Sequence, residues 1–541
     1  MKQEQGRIFT QPSISVHIVG CIEVKSKKSG ENPVIAAIDV GTNSVHMVVA
    51  RIGAHGFHVL SSEKEVVRLG SGAQGMDQLT PEAIERAVIA LSRMKQIADA
   101  HNADIRAVAT SAVREASNAN DFLDRARNEV GISVEVISGN EEARLIHLGV
   151  QQSLAFGAEP VLTIDIGGGS TEFCISVKGQ LRLAQSLKVG AVRLTDAFVP
   201  GGDAGEGGVR RMRAHVSSVI APLAHEIREM GYSRVVVSSG TSETIARLIA
   251  HDRDNRVPLS MNGFSFSKSE FASIMRKILN CEDSKSRQEL PGMDSKRSDI
   301  IVAGGVILEE VAKALRIEAF EFSEYALREG VLVDAAQHKG LLDADAVDAG
   351  LGSVLRLAER CSVDMTHSGH VAMLSRKILT LVSRKFDVDA SLGRLMEAAA
   401  LLANVGNAVA YSKHHHHSYY IIRNADLMGF TDEEIEVIAL TARYHRKSAP
   451  KPSHADFARM TEDRQHDIEL MAGIIRIATG LDRSHDQSVE DVSMTLRNDV
   501  ITLVPRHTGG TAESAALNVF AAQERVGMLQ EFLGATVSIA S

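Results

Sequence analysis

Ile164-Asp165-Ile166-Gly167-Gly168-Gly169-Ser170-Thr171-Glu172 is the stretch on which the reading of this chain turns. The apolar run from Val161 to Ile164 predicts a buried strand, and it ends on Asp165. Three glycines and two hydroxyl residues follow, and a second apolar run resumes at Phe173. Glycine lets backbone N–H groups approach a ligand closely, and successive N–H groups form a concavity that binds anions. Ser170 and Thr171 add hydroxyl donors. Asp165 and Glu172 flank the turn and are suited to Mg²⁺, which takes a few carboxylates and completes its shell with water and phosphate oxygens. Three glycines alone describe an ordinary hairpin. Carboxylates bracketing them, with hydroxyls inside, describe a phosphate turn.

The pattern occurs twice. Residues 35–49 read Ile-Ala-Ala-Ile-Asp-Val-Gly-Thr-Asn-Ser-Val-His-Met-Val-Val. An offset of 126 carries Ile38, Asp39, Gly41 and Ser44 onto Ile164, Asp165, Gly167 and Ser170. Self-similarity at a fixed offset is stronger evidence than either copy alone. Gly41, Thr42, Asn43 and Ser44 thus form a second candidate phosphate turn, with Asp39 as a further candidate metal ligand. Facing each other, the two would clamp a phosphate chain between two lobes. In this the chain resembles the actin–sugar kinase–Hsp70 ATPase fold.

Composition limits the alternatives. A chain of 541 residues with 44% hydrophobic residues has room for several cores. Its net charge of −9 gives no general attraction for polyanions, so basic groups that hold one must be local. The cysteines, Cys21, Cys174, Cys281 and Cys361, are too scattered for a disulfide framework or a paired metal site, which fits a reducing cytoplasm. No apolar run approaches the ~20 residues of a membrane helix. Trp is absent and aromatics are 4%, which argues against stacking platforms for nucleic acid.

Residues 1–33 are expected to be a disordered extension, with a short strand at most over Val16 to Val24 and a linker at Lys25 to Gly30. A first lobe spans 34–158 and a second 159–340. Strands alternate with helices in both, predicting α/β sheets with crossovers. Thr80-Pro81 opens a helix running to about His101. Arg106 to Ala109 is a strand that ends at Thr110-Ser111-Ala112-Val113-Arg114. Ser138 to Arg144 turns into a helix whose first turn carries Glu142, where an acid ordinarily complements the helix dipole. Lys188 and Arg193 surround Gly190. Val235 to Ser238 leads through Gly240-Thr241 into a helix, a third place for backbone amides to meet a ligand.

These segments resemble the exopolyphosphatase / guanosine pentaphosphate phosphohydrolase family, in its long form, from about residue 34 to the C-terminus. The matching stretches are IDVGTNSVHMVVAR (38–51), ATSAVREASNANDFL (109–123), ISGNEEARLIHLGV (137–150), LTIDIGGGSTEF (162–173), SSGTSETIA (238–246) and ALREGVL (326–332). The resemblance implies that Glu142 is the general base for the attacking water. It implies that Asp165 and Glu172 hold Mg²⁺ and that Arg114 contacts phosphate. It also implies a two-fold homodimer.

From about 345 to 488 heptad-like apolar spacing predicts a helical domain. In the long-form family this region resembles the HD phosphohydrolases, which bind metal through a His and an adjacent His-Asp pair. His367 and His370 are candidates, but Ala403-Asn404 stands where the pair would be, and Ala cannot ligate. His414, His415, His416 and His417, with Arg443, His445, Arg446 and Lys447, form a cluster suited to a solvated loop or to a track for distal phosphates. Residues 489–541 predict a small α+β unit, with one helix over 512–533.

The leading expectation is a phosphoanhydride hydrolase acting on inorganic polyphosphate, guanosine pentaphosphate or both. An ATP-dependent kinase of the wider fold and a non-catalytic polyphosphate or alarmone sensor are the alternatives. The first would need an acceptor pocket, for which no motif is present. Intact Glu142, Asp165 and Glu172 argue against the second.

Overall fold

A computed structural model describes residues 33–53, 56–70, 77–202, 205–342, 349–425, 427–498 and 500–540. The expected strand over Val16 to Val24 and the linker after it lie outside the described residues.

The first sheet contains β1 (Val34–Val40), β2 (Ser44–Gly53), β3 (Gly56–Val66), β4 (Asp104–Ala109) and β5 (Val134–Val136), in the order β3-β2-β1-β4-β5. The second contains β6 (Val161–Ile166), β7 (Thr171–Val177), β8 (Gln180–Leu187), β9 (Arg234–Ser238), β10 (Ser265–Ser267) and β11 (Ala319–Phe322), in the order β10-β11-β9-β6-β7-β8. Each has an antiparallel meander of three strands whose first member pairs in parallel with a later strand. The duplication seen in the motifs therefore extends to topology. In a parallel sheet covered on both faces a strand is apolar throughout, and β6 is buried along its whole length.

Caps fall where the sequence places them. Thr80 accepts from the Ala83 N–H, with Pro81 as the first residue of helix Pro81–Ala100. Ser138 accepts from the Glu141 N–H at 3.2 Å and starts helix Gly139–Ser153. That helix crosses helix Leu327–His338 at two glycines. A Cβ on Gly149 would lie 2.0 Å from the Ala326 carbonyl oxygen, and one on Gly330 would lie 1.7 Å from that of Leu145. The crossing joins the lobes, and one apolar cluster holds Ile35 and Val108 of the first with Val236 and Val331 of the second.

Helices between Ala349–Arg360 and Glu462–Leu481 build the next region. Its core continues into the last sheet, β12 (Val489–Arg497), β13 (Val500–His507) and β14 (Thr536–Ile539), through Val489, Ile501 and Val537. The single helix expected over 512–533 is two, Ala512–Gln523 and Gly527–Leu533. Gly527, a poor helix former, opens the second. Among the described residues no helix is long and apolar enough to cross a membrane.

Candidate active site

The two glycine turns face each other at contact distance. Gly41 N–H donates to the Ser44 carbonyl and Gly167 N–H to the Ser170 carbonyl, each at 3.0 Å. A Cβ on Gly168 would lie 3.0 Å from that of Thr42 and 3.3 Å from the Asn43 nitrogen. Between them is a cavity of about 610 Å³ lined by Asp39, Gly41, Thr42, Asn43 and Ser44 from one lobe and by Asp165, Gly167, Gly168, Gly169 and Ser170 from the other. Thr171 points away, donating its hydroxyl to the Val189 carbonyl at 2.5 Å. Gly240 and Thr241 line the same cavity at the start of helix Ser239–Asp254. Gly240 leaves room for the Arg297 guanidinium, whose Nη2 would lie 1.9 Å from a Cβ there and would have to shift.

Glu142 enters this cavity from the first turn of its helix, with 6% of its surface exposed. Arg114, in the short helix Ser111–Glu115, donates from Nη1 to Glu142 Oε2 and to the Ile137 carbonyl, both at 2.9 Å. Burial pushes the Glu142 carboxyl up to about 7 against the pull of Arg114. Asp165 Oδ2 accepts from Ser238 Oγ at 2.5 Å, and burial raises its pKa to about 6. Burial, with repulsion from Glu142 and Asp165, holds Asp39 well above the usual carboxylate range. Asp39 Oδ1 is buried without a hydrogen-bond partner. Glu172 lies deeper and does not line the cavity. Its Oε1 accepts from Ser186 Oγ at 2.7 Å, and burial followed by repulsion from Glu142 and Asp165 raises its pKa strongly.

Four buried carboxylates with raised pKa values, Glu142 and Asp165 repelling both Asp39 and Glu172, form a place prepared for positive charge. Among the described residues no group of three or more His, Cys, Asp or Glu side chains forms a ready-made metal cage. Mg²⁺ does not require one, since it usually keeps several waters and uses one or two carboxylates with substrate phosphates. Asp39, with its orphaned oxygen, and Asp165 fit that pattern. Glu172 supports them from behind.

The second cluster is apart from this cavity, since none of its residues lines it. His414, His415 and His445 are buried. His414 stacks on His445 with 5.6 Å between ring centroids, and Arg446 lies 3.2 Å from its ring nitrogens. Burial lowers His415 to about 4 and His445 to about 3, and also lowers His414 and His416. With these four held toward the neutral form, Arg443, Arg446 and Lys447 are the permanent cations of the cluster. Arg443 pairs with Asp456 at 3.3 Å, and Lys447 is exposed. His417 is half-buried. Elsewhere in the helical region His367 Nδ1 lies 2.7 Å from Asp482 Oδ2, both residues buried, and Ala403 follows helix Gly393–Leu402. A cavity of about 600 Å³ beside the last helix is lined by Asp387, Asp389, Asp463, Asp467, Glu469 and Glu531, a rim that repels polyanions.

Sequence reading missed several groups. Ser238 and the Arg328–Glu329 pair lie inside quoted motifs, and their positions at a strand end and a helix start were the available signal. His46, inside the quoted 38–51 stretch, also lines the cavity, as do Lys64 and Arg297, which come from the meander and a loop without a recognisable pattern.

The Ppx/GppA phosphatase family matches residues 48–339, and Ppx/GppA phosphatase domain III matches residues 351–507. An exopolyphosphatase from Cytophaga hutchinsonii is 33% identical, with a TM-score of 0.53, over 56% of this chain and 98% of that one. An exopolyphosphatase-like protein is 28% identical, with a TM-score of 0.51, over 57% and 99% of the two chains. The Aquifex aeolicus Ppx/GppA family member is 27% identical over 57% and 98%, with a TM-score of 0.49. The paired sheets and facing turns are the two-lobed α/β actin-like fold of these proteins, here followed by a helical region. The chain belongs to the Ppx/GppA phosphatase family.

Proposed function

We propose that the chain hydrolyses the terminal phosphoanhydride of inorganic polyphosphate, of guanosine pentaphosphate to give the tetraphosphate, or of both. The observation that carries this reading is a buried carboxylate with a pKa of about 7, Glu142, lining the same cavity as both glycine turns. A general base works best with a pKa near the operating pH. The turn amides and hydroxyls would hold the terminal phosphoryl group. Glu142 would take the proton from the attacking water as the new P–O bond forms and the anhydride P–O bond breaks, the charge leaving on the shortened chain. Arg114 orients the Glu142 carboxylate and favours its ionised form against burial. Bound Mg²⁺, held by Asp39 and Asp165 with Glu172 behind them, would neutralise phosphate oxygens, which is most of what phosphoryl transfer requires.

The remaining parts of the reading are a cytoplasmic enzyme, for which Cys174, Cys281 and Cys361 as free thiols speak, and a homodimer, testable by solution mass. Arg443, Arg446 and Lys447 are assigned to distal phosphates of long chains.

Glu142→Gln tests the mechanism. The amide cannot accept the proton, and loss of general-base catalysis is expected to lower kcat by about 10²–10⁴ while affinity for the polyanion holds or rises. If Glu142 only complements a helix dipole, the cost is about 0.3–1 kcal/mol of stability and the rate persists. A stable variant with near wild-type kcat overturns the assignment. Parallel kcat/KM measurements on polyphosphate and guanosine pentaphosphate assign the substrate.

A further inference from the structure

The peptide units of the second turn are aimed by their carbonyl groups. The Gly167 carbonyl accepts from Ala191 N–H at 2.9 Å, and that of Gly168 from Val192 and Arg193 N–H at 2.8 and 3.1 Å. The Gly169 carbonyl accepts from Arg193 Nε at 2.8 Å. In a trans peptide the C=O and the following N–H point in opposite directions. Carbonyls drawn to the start of helix Ala191–Phe198 therefore turn the N–H groups of Gly168, Gly169 and Ser170 to the other side of the turn. The approach depends on Gly190, where a Cβ would lie 2.4 Å from the Gly168 oxygen.

Main-chain donors hold the first two carbonyls, and a side chain holds the third. Arg193 Nη2 pairs at 2.9 Å with Glu115 Oε1 of the other lobe. Glu115 is fixed in turn by Lys188 on Oε2 at 2.9 Å and by Ser111 Oγ on Oε1 at 3.3 Å. The Arg193 and Glu115 side chains are only 15% and 13% exposed. Arg114 and Glu115 are neighbours in one short helix, yet the first holds Glu142 and the second holds Arg193.

We propose that Arg193, held by Glu115, is a positioning residue for the hydrolysis put forward above. It fixes the Gly169–Ser170 peptide so that the Ser170 N–H faces the phosphate, and it makes that orientation depend on the approach of the two lobes. Neither residue touches the reacting atoms. The inference rests on the proposed function, because it assigns the turn amides to a phosphoryl group.

The test uses the full chain with Glu142→Gln as a slow background and tripolyphosphate as the probe, with binding read by calorimetry. The rate is read separately with Glu142 intact. Arg193→Met is expected to weaken tripolyphosphate about tenfold, the value of one hydrogen bond to a charged acceptor. It should lower kcat by about 10–100-fold, short of losing an oxyanion donor outright. Arg193→Lys, which keeps a donor, should recover part of both, and it decides the matter if Arg193→Met does not fold. The exchange Glu115→Lys with Arg193→Glu separates positioning from mere bracing. It restores a cross-lobe ion pair, but a carboxylate at position 193 cannot donate to the Gly169 carbonyl. Melting temperature should therefore return while binding and rate do not. Recovery of rate by the exchange, or wild-type binding and rate in folded Arg193→Met, overturns the inference and leaves the function standing. Failure of the Glu142→Gln chain to bind either tripolyphosphate or guanosine pentaphosphate overturns the function and the inference with it.

Discussion

The turns at Gly41 and Gly167 close the same glycine-to-serine hydrogen bond at the same length, but different groups hold them. In the first, the Thr42 carbonyl accepts from Gly70 N–H at 3.0 Å, and the Asn43 carbonyl from Val67 and Arg68 N–H at 3.0 and 2.8 Å. Every one of those donors is main chain of the same lobe. In the second, the corresponding donors follow β8, and a side chain tied to the opposite lobe takes the Gly169 carbonyl. Duplication preserved what backbone geometry dictates. It left one turn self-supporting and made the other responsive to its partner lobe.

The largest effect should come from crowding the responsive turn. A Cβ on Gly169 would lie 2.1 Å from Ser111 Oγ and 2.8 Å from Thr42 Oγ1, both on the other lobe. Gly169→Ala must therefore displace the Ser111 and Thr42 hydroxyls of the facing lobe, and a misplacement near 1 Å can cost on the order of 10²-fold in rate. A Cβ on Gly41 meets its own turn, 3.0 Å from the Ser44 oxygen, and asks for a few tenths of an ångström. Gly41→Ala is expected to lose about tenfold or less in kcat/KM. Equal losses at the two sites would break the comparison.

The flanking carboxylates differ as well. β1 and β4 place Val108 beside Asp39, whereas β6 and β9 place Ser238 beside Asp165. Asp165 thus receives a hydroxyl, and one oxygen of Asp39 is left without a donor. Asp39, raised well above the usual range, must lose its proton before it can bind a cation. The Mg²⁺ concentration for half-maximal rate should therefore fall as pH rises, by up to about tenfold per unit if one proton leaves per ion. Asp39→Asn should flatten this slope above about pH 6, where Asp165 is already ionised, and Asp165→Asn should keep it while raising the requirement throughout. Activity titrated with Mg²⁺ at several pH values checks both.

How much of this the sequence carries follows from what each feature depends on. The paired turns, Asp39, Asp165 and Gly240 were legible because strand, acid, glycine and hydroxyl follow one another in the chain, whereas Glu142 was marked by the family resemblance, since an acid in a first helical turn otherwise reads as a partner for the helix dipole. The equal hydrogen bonds at Gly41 and Gly167 are the structural form of the 126-residue offset. Arg193 and Glu115 were not legible as a pair, since 78 residues separate them and only lobe packing brings them together. The burial of His414 and His445 was hidden for a related reason. A run of polar residues reads as exposed until the helices that cover it are placed. Glu172 looked equivalent to Asp165 because both bracket one turn, but it accepts from Ser186 on β8 and does not line the cavity.

The smallest predicted effect tests whether the Ser238 hydroxyl matters to chemistry. Burial raises the Asp165 pKa to about 6, and the hydrogen bond from Ser238 works against that rise by favouring the charged form. Ser238→Ala removes the donor, so the pKa should climb further. A hydrogen bond to a charged group contributes about 1.5–3 kcal/mol, and one pKa unit corresponds to about 1.4 kcal/mol. The expected displacement is therefore about one to two units. Asp165 and Glu142 would then titrate over the same range, and both must be ionised for turnover. The acidic limb of kcat/KM should move to higher pH and steepen from a slope near one toward two, with the rate above the limb little changed. Stability should follow the same sign. A carboxyl whose folded pKa lies above its unfolded value stabilises the fold while protonated, and this contribution declines as pH rises from the unfolded toward the folded pKa. For Asp165 that window runs from its ordinary value of 3.8 to about 6, and Ser238→Ala should extend it upward. The melting-temperature difference from wild type should thus be larger at pH 8 than at pH 5. An acidic limb unmoved in Ser238→Ala would mean that Asp165, like Asp39, owes its state to burial and its neighbours alone, and the contrast between the two acids would reduce to how their turns are held.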